Sequence, residues 1–199
     1  MRYHLTLLIT FLLVLIWSAI APHDYFTWLL EVFPAIIGLI LILITYKKFP
    51  LTDFLYTLIL IHAIILCVGG HYTYAEVPLF DWIRDVLGQA RNNYDKVGHL
   101  AQGFIPAFIA REILLRKWVV TKKGWVGFLS ITLCMALSSL YEMFEWWVSV
   151  GTGSAGDSFL GTQGYIWDTQ SDMFYAMIGA IIGILFFSRL HDRAISQLG

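Results

Sequence analysis

The chain has 199 residues, 58% of them apolar or aromatic and only 14% charged, with a formal net charge of −1 and a mean hydropathy of +0.70. Soluble domains carry about a quarter charged residues, so this composition excludes a disordered chain, a nucleic-acid binder and an ordinary cytosolic enzyme. Two cysteines are too few for a disulfide framework or a thiolate metal cluster, which leaves a polytopic membrane protein folded as one bundle.

About 20 apolar residues carry a helix across the hydrocarbon core, and six stretches approach that length. The first, 5–21, is nearly uninterrupted. Arg2 before it and Ala19-Ile20-Ala21 at its end resemble a secretory signal with a small-residue cleavage site. The run is longer than most such apolar cores, however, and Pro22 and five more spans follow it. It is therefore expected to remain as the first helix.

The second stretch, 26–46, holds one charge, Glu31, and the third, 54–70, holds none, only His62. Between 71 and 96, Leu79, Phe80, Ile83, Val86 and Leu87 recur at helical spacing opposite Asp81, Arg84 and Asp85. That pattern predicts a short helix lying in the membrane interface. The fourth span, 97–115, is interrupted by His99, Gln102, Arg111 and Glu112, and the fifth, 125–150, carries Glu142 and Glu145 near its end. Residues 151–167 contain five glycines but also Phe159, Leu160, Tyr165 and Trp167, too apolar for a free linker; this loop should fold back over the bundle. The sixth span, 172–190, starts acidic and ends basic.

Orientation follows from Lys and Arg in the short loops. With both termini cytoplasmic, ten of the 13 bases (Arg2, Lys47, Lys48, Arg111, Arg116, Lys117, Lys122, Lys123, Arg189 and Arg193) fall inside, and Arg84, Arg91 and Lys96 fall outside. Trp17, Trp28, Trp118, Trp125, Trp146, Trp147 and Trp167 lie at or near span ends, as an aromatic belt requires. The acids run the other way. Only Asp53, Glu112 and Asp192 lie inside, while Asp24, Glu31, Glu76, Asp81, Asp85, Asp95, Glu142, Glu145, Asp157, Asp168 and Asp172 lie outside.

At 1.5 Å per residue, His99, Gln102, Glu142, Glu145, Glu31 and Asp172 all come within about one to two turns of the outer boundary. Spacings of three and four residues put Asp95, His99 and Gln102 on one stripe, Ser138, Glu142 and Glu145 on a second, and Asp168, Asp172 and Tyr175 on a third. Each stripe is costly against lipid, so each should face the bundle interior. Carboxylates crowded in such a layer need a cation, raised pKa values or a water-filled cleft. Histidine with carboxylates suits Zn, Mn or Fe, and carboxylates alone suit Mg or Ca. The zinc-protease helix signature, the phosphate-binding glycine loop and the nucleophile elbow are absent from the sequence.

Plainer roles fit other polar residues. Gln102, Ser138 and Ser139 read as interhelical hydrogen-bond glue, His62 as a packed histidine, and Arg111 and Glu112 as an interfacial ion pair or as side chains snorkelling to the interface. Cys67 and Cys134 differ by about 9 Å in depth, beyond disulfide reach.

The whole chain resembles the YjdF family of bacterial inner-membrane proteins. Three segments resemble the broader VanZ-like membrane proteins. Asp95-Lys96-Val97-Gly98-His99 matches an Asp-Lys-x-x-His opening. Tyr141-Glu142-Met143-Phe144-Glu145 is similar to a Glu-x-x-Gln helix, with Glu145 in place of the amide. Asp172, Gly179 and Gly183 match an Asp-x6-Gly-x3-Gly final helix, with Ala176 where Asn is usual. The resemblance implies work at the cell envelope and supplies no reaction.

The expected architecture is an all-α, six-span bundle in the bacterial inner membrane, with the interfacial helix in an outer loop. The leading functional expectation is a metal-assisted hydrolase or transferase at the periplasmic leaflet, acting on a lipid-linked or envelope substrate among membrane lipids. His99, Glu142, Glu145 and Asp172 would ligate a divalent metal (Zn, Mn, Fe or Mg). Glu142, Glu145 and Asp95 would carry acid–base catalysis, with Asp95 and Asp168 as supporting or entrance groups. The alternatives are a non-catalytic cation or proton transporter and a membrane binding or scaffold protein whose polar core only joins helices.

Overall fold

A computed structural model describes residues 2–153, 156 and 159–198, and all regular structure within them is helical. In chain order the helices are α1 (Arg2–Ser18), α2 (Tyr25–Thr45), α3 (Asp53–Tyr72), α4 (Pro78–Leu87), α5 (Tyr94–Arg116), α6 (Lys123–Thr152) and α7 (Asp168–Ile182). The last continues through a π-helical turn, Gly183–Phe187, into α8 (Ser188–Ser196). Asp157, one of the outer acids inferred from sequence, lies outside the described residues.

Local chemistry sets several boundaries. Asp24 caps α2 by accepting the Thr27 N–H at 2.6 Å, and Thr52 caps α3 by accepting the Leu55 N–H at 3.2 Å, each satisfying a donor the first turn leaves free. Pro78 opens α4, and Gly88 ends it in the left-handed conformation at φ 62°, which costs glycine no Cβ clash. α1 stops at Ser18, short of the expected 21, because the chain turns there and Ala21 adopts a positive φ of 49° before Pro22.

Among the described residues, four helices are long and apolar enough to cross a membrane: α2, α3, α6 and the continuous helix Asp168–Ser196. α1 is apolar but only 17 residues long. α5 has 23 residues but carries Asp95, Lys96, Arg111, Glu112 and Arg116, so its burial comes from neighbouring helices rather than from lipid. It packs against α3, α6 and α7, while α1 and α2 each pack on α3.

The tightest approach is between α5 and α7. A Cβ added to Gly103 would overlap the Ala176 carbonyl, and one added to Gly179 would overlap the Leu100 carbonyl. Small residues at both crossing points let the two backbones touch, the usual basis of close helix packing in membranes. The buried face of α7 is Asp168, Asp172, Ala176, Gly179 and Ala180. Tyr175, expected on the acidic stripe, is exposed. The contact with α5 selects Ala176 instead, because a side chain the size of tyrosine does not fit there.

Cys67 and Cys134 are buried free thiols. His62 sits mid-helix, half-buried, with its Nε2 lacking a hydrogen-bond partner among the described residues.

Candidate functional site

The starts of α5 and α7 and the ends of α3 and α6 meet at one end of the bundle, and Asn92 organises the junction. This fully buried side chain accepts the Tyr94 N–H at 3.1 Å and donates to Val77 O at 3.1 Å and Asp81 Oδ1 at 3.0 Å. Its backbone is paired in both directions with the Gln163 amide, at 3.1 and 2.9 Å. Through that pair the described segment 159–167 is held over the helix ends, with Phe159 packed on Tyr141 and Phe144 at 3% exposure. Segment 159–167 of the loop folds back as its apolar content predicted.

Below the loop lies a tier of ion pairs. Arg91 bonds Asp95 and, at 2.6 Å, Asp168. Lys96 lies 3.2 Å from Asp95, 3.0 Å from Asp168 and 2.6 Å from Asp172. All five side chains are nearly buried. Three carboxylates against two bases are thus largely neutralised without a metal. Although Asp95, Asp168 and Asp172 are spaced closely enough to hold an ion, their inward oxygens already face Lys96 and Arg91. Arg91 lies just before α5, outside its helical turns, so helical spacing alone does not pair it with Asp95.

One turn deeper the arrangement changes. His99 presents Nδ1 to Glu142 Oε1 at 3.8 Å and Nε2 to Asp172 Oδ2 at 3.7 Å, too long for direct hydrogen bonds. His99 and Glu142 are 8% and 5% exposed, and both His99 Nδ1 and Glu142 Oε1 lack a hydrogen-bond partner among the described residues. Two unsatisfied polar atoms facing each other in a buried layer are costly unless something lies between them. His99, Glu142 and Asp172 each offer one ligand atom, all within 4.8 Å of one another. Ligands at about 2.0–2.1 Å from a tetrahedral ion lie about 3.3 Å apart, and only one of the two His99 nitrogens can serve a given ion, so the set would have to contract by up to about 1.5 Å to close.

Glu145 belongs to a neighbouring space. With Glu31, Tyr74, Gln102 and Tyr141 it lines a cavity of about 40 Å³ that also reaches His99, Asp95, Asp168 and Asp172. Tyr141 donates to Glu31 Oε2 at 3.4 Å. The cavity has room for an ion or a few waters and none for a lipid headgroup. On its other side Glu142 faces a larger groove of about 570 Å³ between α6 and α7, where Met143, Trp146, Ile166 and Met173 form apolar walls and Asp168 and Thr169 lie beside it. The carboxylates thus stand between a small polar chamber and a lateral apolar opening. Of the residues singled out from sequence, Glu142 and Asp172 flank the two nitrogens of His99 with ligand atoms within 4.8 Å of one another, Glu145 lines the adjoining chamber, and Asp95 and Asp168 hold the bases above.

Residues 3–193 match the family model described as "Predicted membrane protein (DUF2238)". The chain is 49% identical over 191 residues to the protein named "Inner membrane protein YjdF" of Escherichia coli (strain K12), covering 96% of this chain and 91% of that relative. No solved structure matches it. The likeness to VanZ-like proteins rests on the three motifs alone, whereas the long match places the whole chain: it belongs to the DUF2238 family of predicted membrane proteins.

Proposed function

We propose that the chain is a six-span inner-membrane protein whose His99, Glu142 and Asp172 bind a divalent transition metal, and that this centre serves hydrolysis or group transfer on an amphiphilic envelope substrate. The observation that carries the reading is the pair of buried, partnerless atoms, His99 Nδ1 and Glu142 Oε1, facing each other at 3.8 Å. An imidazole with carboxylates is the donor set of Zn, Mn or Fe sites. Such an ion supplies an activated water at neutral pH and polarises an ester or phosphoryl oxygen.

The protein's own groups have distinct tasks in this reading. Lys96 holds Asp172 through its other oxygen, at 2.6 Å, which fixes the carboxylate that faces His99. Ligating carboxylates are commonly hydrogen-bonded in this way by a neighbouring group. Glu145, in the chamber behind, is placed to accept or return a proton. The lateral groove would admit the substrate's apolar part, and the glycine-rich loop would exclude bulk water from above.

Two further features of the reading concern placement. Counting α1 and α5 with the four long apolar helices gives six crossings, and the ten-to-three distribution of bases puts both termini in the cytoplasm and the acidic end in the periplasm. α4 would lie along the outer interface, since Leu79, Trp82, Val86 and Leu87 are exposed together.

Elemental analysis of protein purified without added metal tests the centre. About one transition-metal ion per chain, lost on chelation, is the expected result. Metal-free protein that also fails to take up Zn or Mn would leave the polar core as helix glue or as a proton site.

A further inference from the structure

α1 and α2 both pack on α3 and meet each other towards one end, where Trp28 Nε1 donates to Ser18 Oγ at 3.1 Å; beyond that contact a cleft between them has a volume of about 290 Å³. Its walls are Leu5, Leu8, Phe11, Leu39, Leu43 and Leu60, with His4, Tyr46 and Tyr56 at the mouth. This mouth lies at the start of α1 and the end of α2, the end of the bundle opposite the acidic chamber. Along α2 the cleft runs from Ala35 to Tyr46, about 16 Å at 1.5 Å per residue. That is half of a hydrocarbon core of about 30 Å, the depth of a single leaflet.

The mouth is basic. Arg2, Lys47 and Lys48 are exposed beside it, and the α2–α3 turn is further flanked by Arg116 and Lys117, 4.0 and 5.1 Å over the Phe49 ring. The nearby acid, Asp53, is taken by His4 Nε2 at 2.7 Å, while His4 Nδ1 meets the Tyr46 hydroxyl at 2.6 Å. An apolar slot one leaflet deep, ending beside the exposed bases Arg2, Lys47 and Lys48 against the single acid Asp53, is complementary to one kind of membrane component.

We infer that this cleft binds an anionic phospholipid, one acyl chain lying between α1 and α2 and the phosphate facing Arg2, Lys47 and Lys48. Basic residues beside an apolar slot between spans recognise lipid headgroups through charge, and the acyl chain supplies the contacts that α1 and α2 do not make with each other. The site is independent of the metal centre.

The test uses the full chain reconstituted in bilayers of phosphatidylcholine with one part in five phosphatidylglycerol, extracted into mild detergent, and its retained lipid counted by native mass spectrometry. The expected result is about one phosphatidylglycerol per chain and no retained phosphatidylcholine. Lys47→Gln with Lys48→Gln, at exposed positions, should weaken retention about tenfold or more. Ala35→Phe, which puts a ring into the cleft, should abolish it with helix content unchanged. Equal retention of the two lipids, or full retention by the Lys47/Lys48 variant, overturns the inference. So does a dimer joined through α1 and α2 that retains no lipid, since a second copy would then cover the cleft.

Discussion

His191 Nε2 lies 2.9 Å from Glu112 Oε2, and both side chains are completely buried. Arg111 Nη1 can only donate, so at 3.1 Å from His191 Nδ1 it sets the ring proton on Nε2, pointing at the carboxylate. Glu112 also accepts from the Thr52 N–H at 3.0 Å, the Thr52 hydroxyl at 2.9 Å and Arg116 at 2.7 Å. Its four partners join the start of α3, the end of α5 and α8. This end of the bundle is therefore a satisfied clamp, in contrast to the unsatisfied atoms at the other end.

Breaking the clamp should destabilise the fold. Losing a buried hydrogen bond to a charged group costs about 1.5–3 kcal/mol, so His191→Ala should lower the thermal midpoint in detergent while leaving any bound metal at the far end in place. A stability equal to wild type would show that Glu112 is satisfied without the ring.

Glu142→Gln should do the reverse. The amide keeps the size but is a poor ligand for a hard cation, and a hydrogen-bonding role would tolerate it within about 1 kcal/mol. The variant is expected to insert and fold normally yet lose bound metal, as measured by elemental analysis. With one repelling carboxylate gone, the metal-free protein should be at least as stable as wild type. Full metal retention would return Glu142 to a structural role.

Gly179→Ala tests how the centre is positioned. The added methyl meets the Leu100 carbonyl, and overpacking of this kind costs about 1–3 kcal/mol. Because Asp172 sits two turns earlier on the same helix, displacing α7 should reduce metal affinity as well as thermal stability. Unchanged values for both would mean that α5 and α7 separate without moving the site.

Asp24, outside the spans, offers a pH test. The Thr27 N–H holds its carboxyl below the ordinary value, so its contribution is present above the unfolded value near 4 and is lost as pH falls through the folded one. Asp24→Ala should cost about 1 kcal/mol at neutral pH and less once wild-type Asp24 is protonated, read from thermal midpoints across the acid range. A deficit that persists unchanged at the lowest pH would point to lost packing.

Orientation is read with a reporter fused after Gly199. Activity confined to the cytoplasm is expected from the loop charges; periplasmic activity would move the acidic chamber to the cytoplasmic side.

Much of this molecule is written locally. Apolar runs bounded by Pro22, Pro50 and Pro78 set the helices, because helix formation and transfer into lipid depend on contiguous residues. The four-residue spacings of Asp95 with His99 and of Asp168 with Asp172 put each pair on one face for the same reason. Which faces meet is not local. Tyr175 and Ala176 are neighbours in sequence, and only the glycine-to-carbonyl contacts between α5 and α7 decide that Ala176 is the one buried. Likewise, Asp95, Asp168 and Asp172 read as one acidic set with Glu142 until Arg91 and Lys96 are seen among them. Charge compensation depends on distances across 70 and more residues of chain, which spacing does not encode. The tertiary structure alone therefore separates the neutralised tier from the unsatisfied His99–Glu142 gap beneath it.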